Sequence, residues 1–429
     1  MIHFDEVLNR AFITIASDTH STLVESVLVL RDLRGRIRLF LKPAENREAQ
    51  LAAEIPRLNE VLSSALEMFW GGVVEVDIPG SDFQSILDPF RAESRPLEPA
   101  AEYPNWSIIE RHASKSSWTS RLSGPPWPLH ERTPSIVAFY SHKGGVGRTT
   151  SLCGTAVNLA RAGKKVVMLD LDLEAPGLGS LIQADATEFG VLDYLLERLL
   201  CGGGHAPDLR DYSARQSDQN LIGEGGEPII CIPAGSVNEL YIEKLARVDL
   251  ELLSRAPNDQ SPLVDLLKLV KSQYRPDYIL LDCRPGLNDL GGLAIQRLSH
   301  VNVLFGQDSV QSWQGMRYAL RVLGITLTPP ACLLVQAMEW PSPDEIRRRS
   351  RERFLSQSYD AFCEFYYDEN DIPDIDAVDE PHFPFGVPYL QSLTGYQTLA
   401  DIAELLTKDP YLSLTTRIVQ LCERAKVND

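Results

Sequence analysis

The 429-residue chain is predicted to be an α/β protein: a doubly wound, mostly parallel sheet with a small N-terminal α/β domain ahead of it. Three observations predict this. First, between residues 134 and 429 short apolar runs alternate with segments of helical periodicity, as the strands of a parallel sheet covered on both faces require. These runs are Ile136–Tyr140, Val166–Leu171, Ile229–Ile232, Tyr278–Leu281, Val301–Phe305 and Cys332–Val335, with Phe383–Pro388 as the last. Second, a glycine turn, Gly144–Gly147, joins the first run to the helical pattern Ser151–Arg161, which stops at Gly163. Third, aspartates stand at strand ends: Asp170 and Asp172 at the end of the second run, Asp282 after the fourth. Open α/β sheets bind their ligands at such carboxyl ends.

Residues 1–84 read as the small domain. Ile37–Leu41 and Val73–Val76 are rich in β-branched and apolar residues and predict strands. Arg34-Gly35 predicts a turn, making Leu28–Leu41 a hairpin. Glu45–Trp70 carries Leu51, Ile55, Leu58, Val61, Leu62, Leu66 and Phe69 at helical spacing. Residues 85–133 are a different material, dominated by prolines and by Trp106, Trp118 and Trp127. Such a stretch cannot be regular throughout, yet its tryptophans are too apolar for a free linker. It is expected to be a linker or strap packed on a domain. Residues 134–429 form the third part, in which Gly202–Gly226 reads as a long polar loop.

The composition is globular, with 44% hydrophobic and 23% charged residues. A formal net charge of −18 repels phosphate backbones, which disfavours DNA as a partner for the surface as a whole. The 7 cysteines are odd in number and never spaced C-x-x-C, which argues against a disulfide framework and a zinc ribbon. They read as buried thiols of a reducing, cytoplasmic setting. No run reaches the roughly 18 apolar residues of a membrane span, and the first residues, MIHFDEVLNR, lack the apolar core of a signal peptide.

The chemistry begins at Lys143-Gly144-Gly145-Val146-Gly147-Arg148-Thr149-Thr150, between a strand and a helix. Glycines let backbone N–H groups turn inward around an anion, and the helix N-terminus adds partial positive charge. This is the setting of a phosphate loop, in which Thr149 would ligate Mg²⁺ and Thr150 would bond the α-phosphate. The loop resembles that of the ParA/MinD family of deviant Walker A P-loop ATPases, of the SIMIBI class, which reads KGGVGKTT. The resemblance implies ATP and Mg²⁺ as ligands and Gly144, Gly145, Val146, Gly147, Arg148, Thr149 and Thr150 as the phosphate cradle. It also implies that Lys143 is the signature lysine, reaching the partner's nucleotide in an ATP-dependent homodimer. One departure is Arg148, where the family usually has lysine; a subgroup with a KGGVGR loop shares it. A guanidinium stays charged and grips phosphate bidentately, but it is bulkier than an ammonium. ATP affinity is therefore expected to survive and turnover to be slow, with Arg148 and Lys143 as catalytic candidates.

Asp170-Leu171-Asp172 resembles the family's D-x-D motif, whose carboxylates point the same way from a strand end. The resemblance assigns Asp172 to orienting the attacking water and Asp170 to the Mg²⁺ shell. Tyr278-Ile279-Leu280-Leu281-Asp282 forms a Walker B strand, and Asp282 would bond a Mg²⁺ water or the Thr149 hydroxyl. Gly286 resembles the switch glycine that senses the γ-phosphate. Arg284 reads first as half of an ion pair and second as a charge for the transition state. The likeness extends through Ile232-Pro233-Ala234-Gly235 and Gln311-Ser312-x-x-Gly315, and does not cover residues 1–133. For the adenine it points to Gln336 and to Pro388.

Three weaker features complete the reading. The run Arg347, Arg348, Arg349, Arg351 and Arg353 reads as a solvated helix paired with the acidic stretch Asp368–Glu380, with a nucleic-acid surface as the alternative. The C-terminal segment Thr416–Asp429 lacks the basic flanks of a membrane anchor. His142 reads as a packing residue. Taken together, the chain is expected to be an ATP-binding and hydrolysing dimeric switch, regulatory or of a defence-type signalling kind by analogy of fold. Its N-terminal domain would meet an unknown protein partner. Two other classes stay open: a non-hydrolysing ATP-dependent interaction module, and an ATP-dependent DNA partitioning protein.

Overall fold

A computed structural model describes residues 1–16, 22–76, 84–119, 124–182, 187–201, 207–248, 261–326, 329–340 and 343–428. Contacts divide the chain into two units, Met1–Ala113 and Ser114–Asp429. The sequence placed boundaries at 84 and 133; the division instead falls inside the Pro/Trp-rich stretch. The reason is its tryptophans. Trp106 is buried in the core of the first unit, whereas Trp118 and Trp127 are buried in the second.

In the first unit, β1 (Val24–Arg31) and β2 (Ile37–Pro43) form the expected hairpin, turning at Gly35, whose φ is +84°. Helix α1 (Val7–Ile15) and helix α2 (Glu48–Leu66) bury Val7, Ala11, Leu51, Leu58, Leu62 and Leu66 against the sheet. The expected helix ends early: Trp70 opens β3 (Trp70–Val76) instead. β4 (Arg95–Pro96) and β5 (Trp106–Glu110) complete a five-stranded sheet of order β3-β2-β1-β5-β4.

The second unit is built on an eight-stranded sheet. Its strands are β6 (Ser135–Ser141), β7 (Val166–Asp170), β8 (Ala214–Gln216), β9 (Ile229–Ile232), β10 (Tyr278–Asp282), β11 (Val301–Gly306), β12 (Ala331–Glu339) and β13 (Phe385–Pro388). The order is β13-β12-β11-β6-β10-β7-β9-β8, and every pairing is parallel except β8 with β9. The chain leaves β6 in one direction, returns beside it with β10, and continues in the other from β11. That is the doubly wound arrangement. β6, β7, β10 and β11 are buried along their whole length, which is why they read as mainly apolar runs, interrupted in β11 by Asn302. β8 was not expected: its sequence, Ala-Arg-Gln, has no apolar run, and it lies in the segment read as a loop. Residues 202–206 of that loop lie outside the described residues.

Helix α3 (Arg148–Arg161) covers one face of this sheet. On the opposite face lie α4 (Val191–Cys201), α5 (Pro262–Tyr274), α6 (Asp289–Leu293), α7 (Val310–Gly324) and α8 (Asp344–Phe365). Helix α9 (Tyr411–Asn428) returns to the α3 face and buries Leu414, Ile418 and Cys422 there, so its apolar residues are spent on packing. Among the described residues no helix is long and apolar enough to cross a membrane.

Candidate functional site

β6 delivers the chain to the loop His142–Gly147, and α3 begins at Arg148. Gly145 and Gly147 have φ of +72° and +74°, the left-handed region that favours glycine. The unpaired N–H groups of the first turn of α3 therefore face the loop, a ready anion site.

Four of the predicted residues converge at the carboxyl ends of β6, β7 and β10. The Arg148 side chain is 8% exposed and folds back across the sheet end. Its Nε donates to Asp282 Oδ1 at 2.7 Å, and its Nη2 lies 3.6 Å from Asp172 Oδ2. Thr149 Oγ1 donates to Asp282 Oδ2 at 2.7 Å, so both Asp282 oxygens are engaged. Burial alone would lower the Arg148 pKa, but Asp282 and then Asp172 outweigh it and hold the guanidinium charged. Asp172 is raised by burial, while Arg148, the Ala175 N–H and Arg284 pull the other way. Arg284 flanks it, with Nε 4.0 Å from Asp172 Oδ1, and pairs with Glu174. The ion pair expected of Arg284 is present.

Asp170 is wholly buried beside them. Its carboxylate accepts N–H bonds from Asp172 (3.0 Å), Gly177 (3.2 Å) and Leu178 (3.0 Å). Burial and then the Asp282 charge nevertheless push it up to about 7. Among the described residues no three carboxylate, histidine or cysteine side chains are grouped to hold a metal by themselves, but a hard divalent cation beside Asp170 and Asp282 would relieve the raised carboxylate.

The other predicted residues are placed differently. Lys143 is half-buried, with no hydrogen-bond or ion-pair partner among the described residues. The Thr150 hydroxyl meets Tyr396 Oη at 3.0 Å. The Gly286 N–H donates to Ser141 O at 3.0 Å, so it points into the sheet and not at the loop. His142 packs its ring on Gly315 of α7, where an added Cβ would lie 1.9 Å from the imidazole Cγ.

Gln336 is not brought to the loop. Its neighbours Val335 and Ala337 face α3, so strand alternation turns Gln336 to the other face, where its amide donates to Ser350 Oγ of α8 at 3.4 Å. Met338 reaches the loop in its place. It sits at a register shift in β12 with φ +57°, a costly conformation for this side chain, and its Cε would be 3.4 Å from a Cβ on Gly147. Beyond it, Gln336, Met338 and Trp340 line a 320 Å³ cavity, and Trp340 stacks on Tyr389 with ring centres 4.4 Å apart. Sequence reasoning missed Met338 and Tyr396. A bulge leaves no local signal, and Tyr396 is brought in only by the fold.

The basic run is also corrected. Arg347 pairs with Asp344, Arg348 with Glu345 and Glu352, Arg349 with Glu345, Arg351 with Glu339 and Arg353 with Asp308. None of these partners lies in Asp368–Glu380, whose Asp379 pairs with Arg417 and Arg424 instead. Most of the acids are three or four residues away on α8 itself, the ordinary helical spacing. With its charge matched in this way, the run is a poor footprint for nucleic acid.

Residues 132–305 match the family model described as "ParA: NUBPL iron-transfer P-loop NTPase". An uncharacterized ATP-binding protein of Methanocaldococcus jannaschii is 27% identical over 191 residues, 44% of this chain and 58% of that one. The sporulation initiation inhibitor protein Soj of Bacillus subtilis is 29% identical over 176 residues, 41% of this chain and 56% of that one. The chain thus spans about half the length of the curated relatives it matches. Among solved structures, the septum site-determining protein MinD of Pyrococcus horikoshii, complexed with Mg-ADP, is 19% identical, covering 68% of this chain and 95% of that one with a TM-score of 0.42.

Proposed function

We propose, on the premise that the chain carries a P-loop domain of the ParA/MinD type over residues 132–305, that it is an ATP-binding dimeric switch with slow hydrolysis. The observation that carries this reading is the convergence of Arg148, Thr149, Asp172 and Asp282 at three adjacent strand ends. In this reading the N–H groups of Gly144–Thr150 hold the phosphates. Thr149, Asp170 and Asp282 are the residues that would hold Mg²⁺, which when bound neutralises phosphate charge. Asp172, which burial raises against the pull of Arg148 and Arg284, accepts a hydrogen bond from the attacking water and aligns it when ionised. Arg148 has two claims on it, the carboxylates and the phosphates. Lys143, which has no described partner in its own chain, is assigned to the nucleotide of a second copy. Met338, against Gly147, is assigned to the base side of the nucleotide in preference to Gln336. A regulatory or defence-type signalling role follows by analogy of fold only.

ATP turnover and solution mass, measured with and without ATP·Mg²⁺, test this. Wild type is expected to double its mass with ATP and to release phosphate, and Lys143→Ala to lose both. A wild-type chain that stays monomeric while turning ATP over would refute the dimer. A second reading, an ATP-dependent interaction module without turnover, is favoured by one observation: Arg148 is already paired with Asp282 and lies beside Asp172. Bound ATP with no phosphate release would select it. A DNA partitioning role has less support, given the net charge of −18 and the neutralised arginine run.

The raised Asp170 makes a pH prediction. Between its ordinary value of 3.8 and about 7, the folded chain holds a proton that the unfolded chain has released. The contribution to stability is therefore fully present at low pH and lost as pH rises through 7. A cation binds the ionised form, so ATP·Mg²⁺ binding at pH 6 should release about one proton, and almost none at pH 8.5. Calorimetry in buffers of different ionisation enthalpy reads this directly. No release at pH 6 would remove Asp170 from the metal shell.

A further inference from the structure

We propose that the segment Lys115–Thr119 positions the loop Cys283–Asp289 and sets the cost of the movement by which Gly286 meets nucleotide. This rests on the switch reading above and adds its regulation: the junction that follows the first unit becomes a control point of the site.

The argument starts from Gly286. Its N–H is spent on Ser141 O, and its carbonyl accepts from Tyr140 Oη at 3.3 Å and from the Asn288 side chain at 3.0 Å. To meet a phosphate, the Gly286 N–H must leave Ser141, and residues 284–289 must shift with it. Asn288 is the knot of that loop. Its side-chain amide donates to Arg284 O at 2.9 Å, and its Oδ1 accepts from Gly291 N at 2.7 Å, capping α6.

The hydrogen bonds of Lys115–Thr119 fasten it to this knot. Trp118, 4% exposed, donates its indole N–H to the Asn288 carbonyl at 2.6 Å. Lys115 holds both oxygens of Asp289, through its backbone N–H to Oδ1 at 2.5 Å and its ammonium to Oδ2 at 3.0 Å. The Gln296 amide donates to Ser117 O. The seat is shaped for it: a Cβ on Gly292 would fall 2.6 Å from Ser117 Oγ and 2.7 Å from the Trp118 indole nitrogen. The Trp118 ring also packs on Tyr140, whose hydroxyl touches Gly286. The same indole therefore contacts the loop directly and through its β6 neighbour. Ala113, the last residue of the first unit, lies two positions before Lys115.

Hydrogen exchange on the full chain, with nucleotide affinity and thermal midpoint measured in parallel, tests the proposal. Saturating ATP·Mg²⁺ is expected to change the exchange of 114–119 and 286–292 together. In Trp118→Phe, which keeps an aromatic but smaller ring and loses the donor, 286–292 should exchange about fivefold faster without nucleotide, the size of one net hydrogen bond. ATP affinity should rise by up to about fivefold, because less binding energy is spent on opening the loop. A merely structural role would lower affinity and thermal midpoint together, and would overturn the proposal. Lys115→Met, at a half-exposed side chain, repeats the test if Trp118→Phe does not fold, and Lys115→Arg should restore wild-type behaviour. If wild type binds ATP and 114–119 is indifferent to it, the clamp is static and only this proposal fails. If wild type binds no ATP, the switch reading falls and takes the clamp's role with it.

Discussion

Arg148→Ala is expected to destabilise the nucleotide-free second unit by about 3–5 kcal/mol, the usual consequence of leaving buried charge without its partner, and to abolish measurable ATP binding. The guanidinium is the cation set against Asp282 and Asp172, which are 2% and 6% exposed, with the wholly buried Asp170 behind them. Without it, three carboxylates face one another in a low-dielectric site, and some must take up protons to remain there. The loss should therefore be larger at pH 8 than at pH 5, where protonation relieves the repulsion. Unfolding followed by a probe within Ser114–Asp429 is the appropriate measurement, because a chain of two units need not unfold in one step. Arg148→Lys, which keeps the charge but offers a point in place of a fork, should fall between the two. An alanine variant as stable as wild type would mean that the network is incidental and that Arg148 is free to serve phosphate alone.

This network also marks how far the sequence could be read. β6, β7, β10 and β11 were legible because a doubly covered strand is apolar at most of its positions. β8, three residues long on an edge, and β4, two residues long, carry no such requirement and were invisible. At the site, the glycine loop, Asp170, Asp172 and Asp282 were legible because their chemistry depends on the local chain: a turn that needs glycine, a carboxylate at a strand end. What the sequence could not show are meetings made by the fold. Arg148 turned back to Asp282, Tyr396 brought to Thr150, Met338 extruded by a bulge onto Gly147, and Trp118 fastened to Asn288 are separated by up to 246 residues along the chain. Gln336 shows the reverse case. It was read at the end of a strand that in fact runs on to Glu339, and strand alternation turns its side chain to the other face.

Gly315→Ala should have the second large effect, and its sign is the test. In a helix interior, glycine to alanine ordinarily stabilises by about 1 kcal/mol. At Gly315 the new methyl would lie 1.9 Å from His142 Cγ and 2.2 Å from Cδ2 and Nδ1, distances no side chain tolerates. The ring cannot swing aside alone. It belongs to the residue that opens the phosphate loop, and the His142 carbonyl lies 3.8 Å from the Cβ position of Gly286. Displacing His142 therefore disturbs Lys143, the loop and Gly286 at once. We expect a loss of about 1–3 kcal/mol of stability, as for overpacked sites, and a fall of at least about tenfold in ATP affinity. The double variant His142→Ala/Gly315→Ala separates packing from chemistry. If the glycine exists to seat the imidazole, removing the ring should return most of the stability, giving a coupling energy well above the error of such cycles. If the double variant regains stability but not affinity, His142 itself positions the loop for nucleotide. A single alanine variant that is as stable as wild type, or more so, would show that α7 does not seat the loop and that the close approach of His142 to Gly315 constrains nothing.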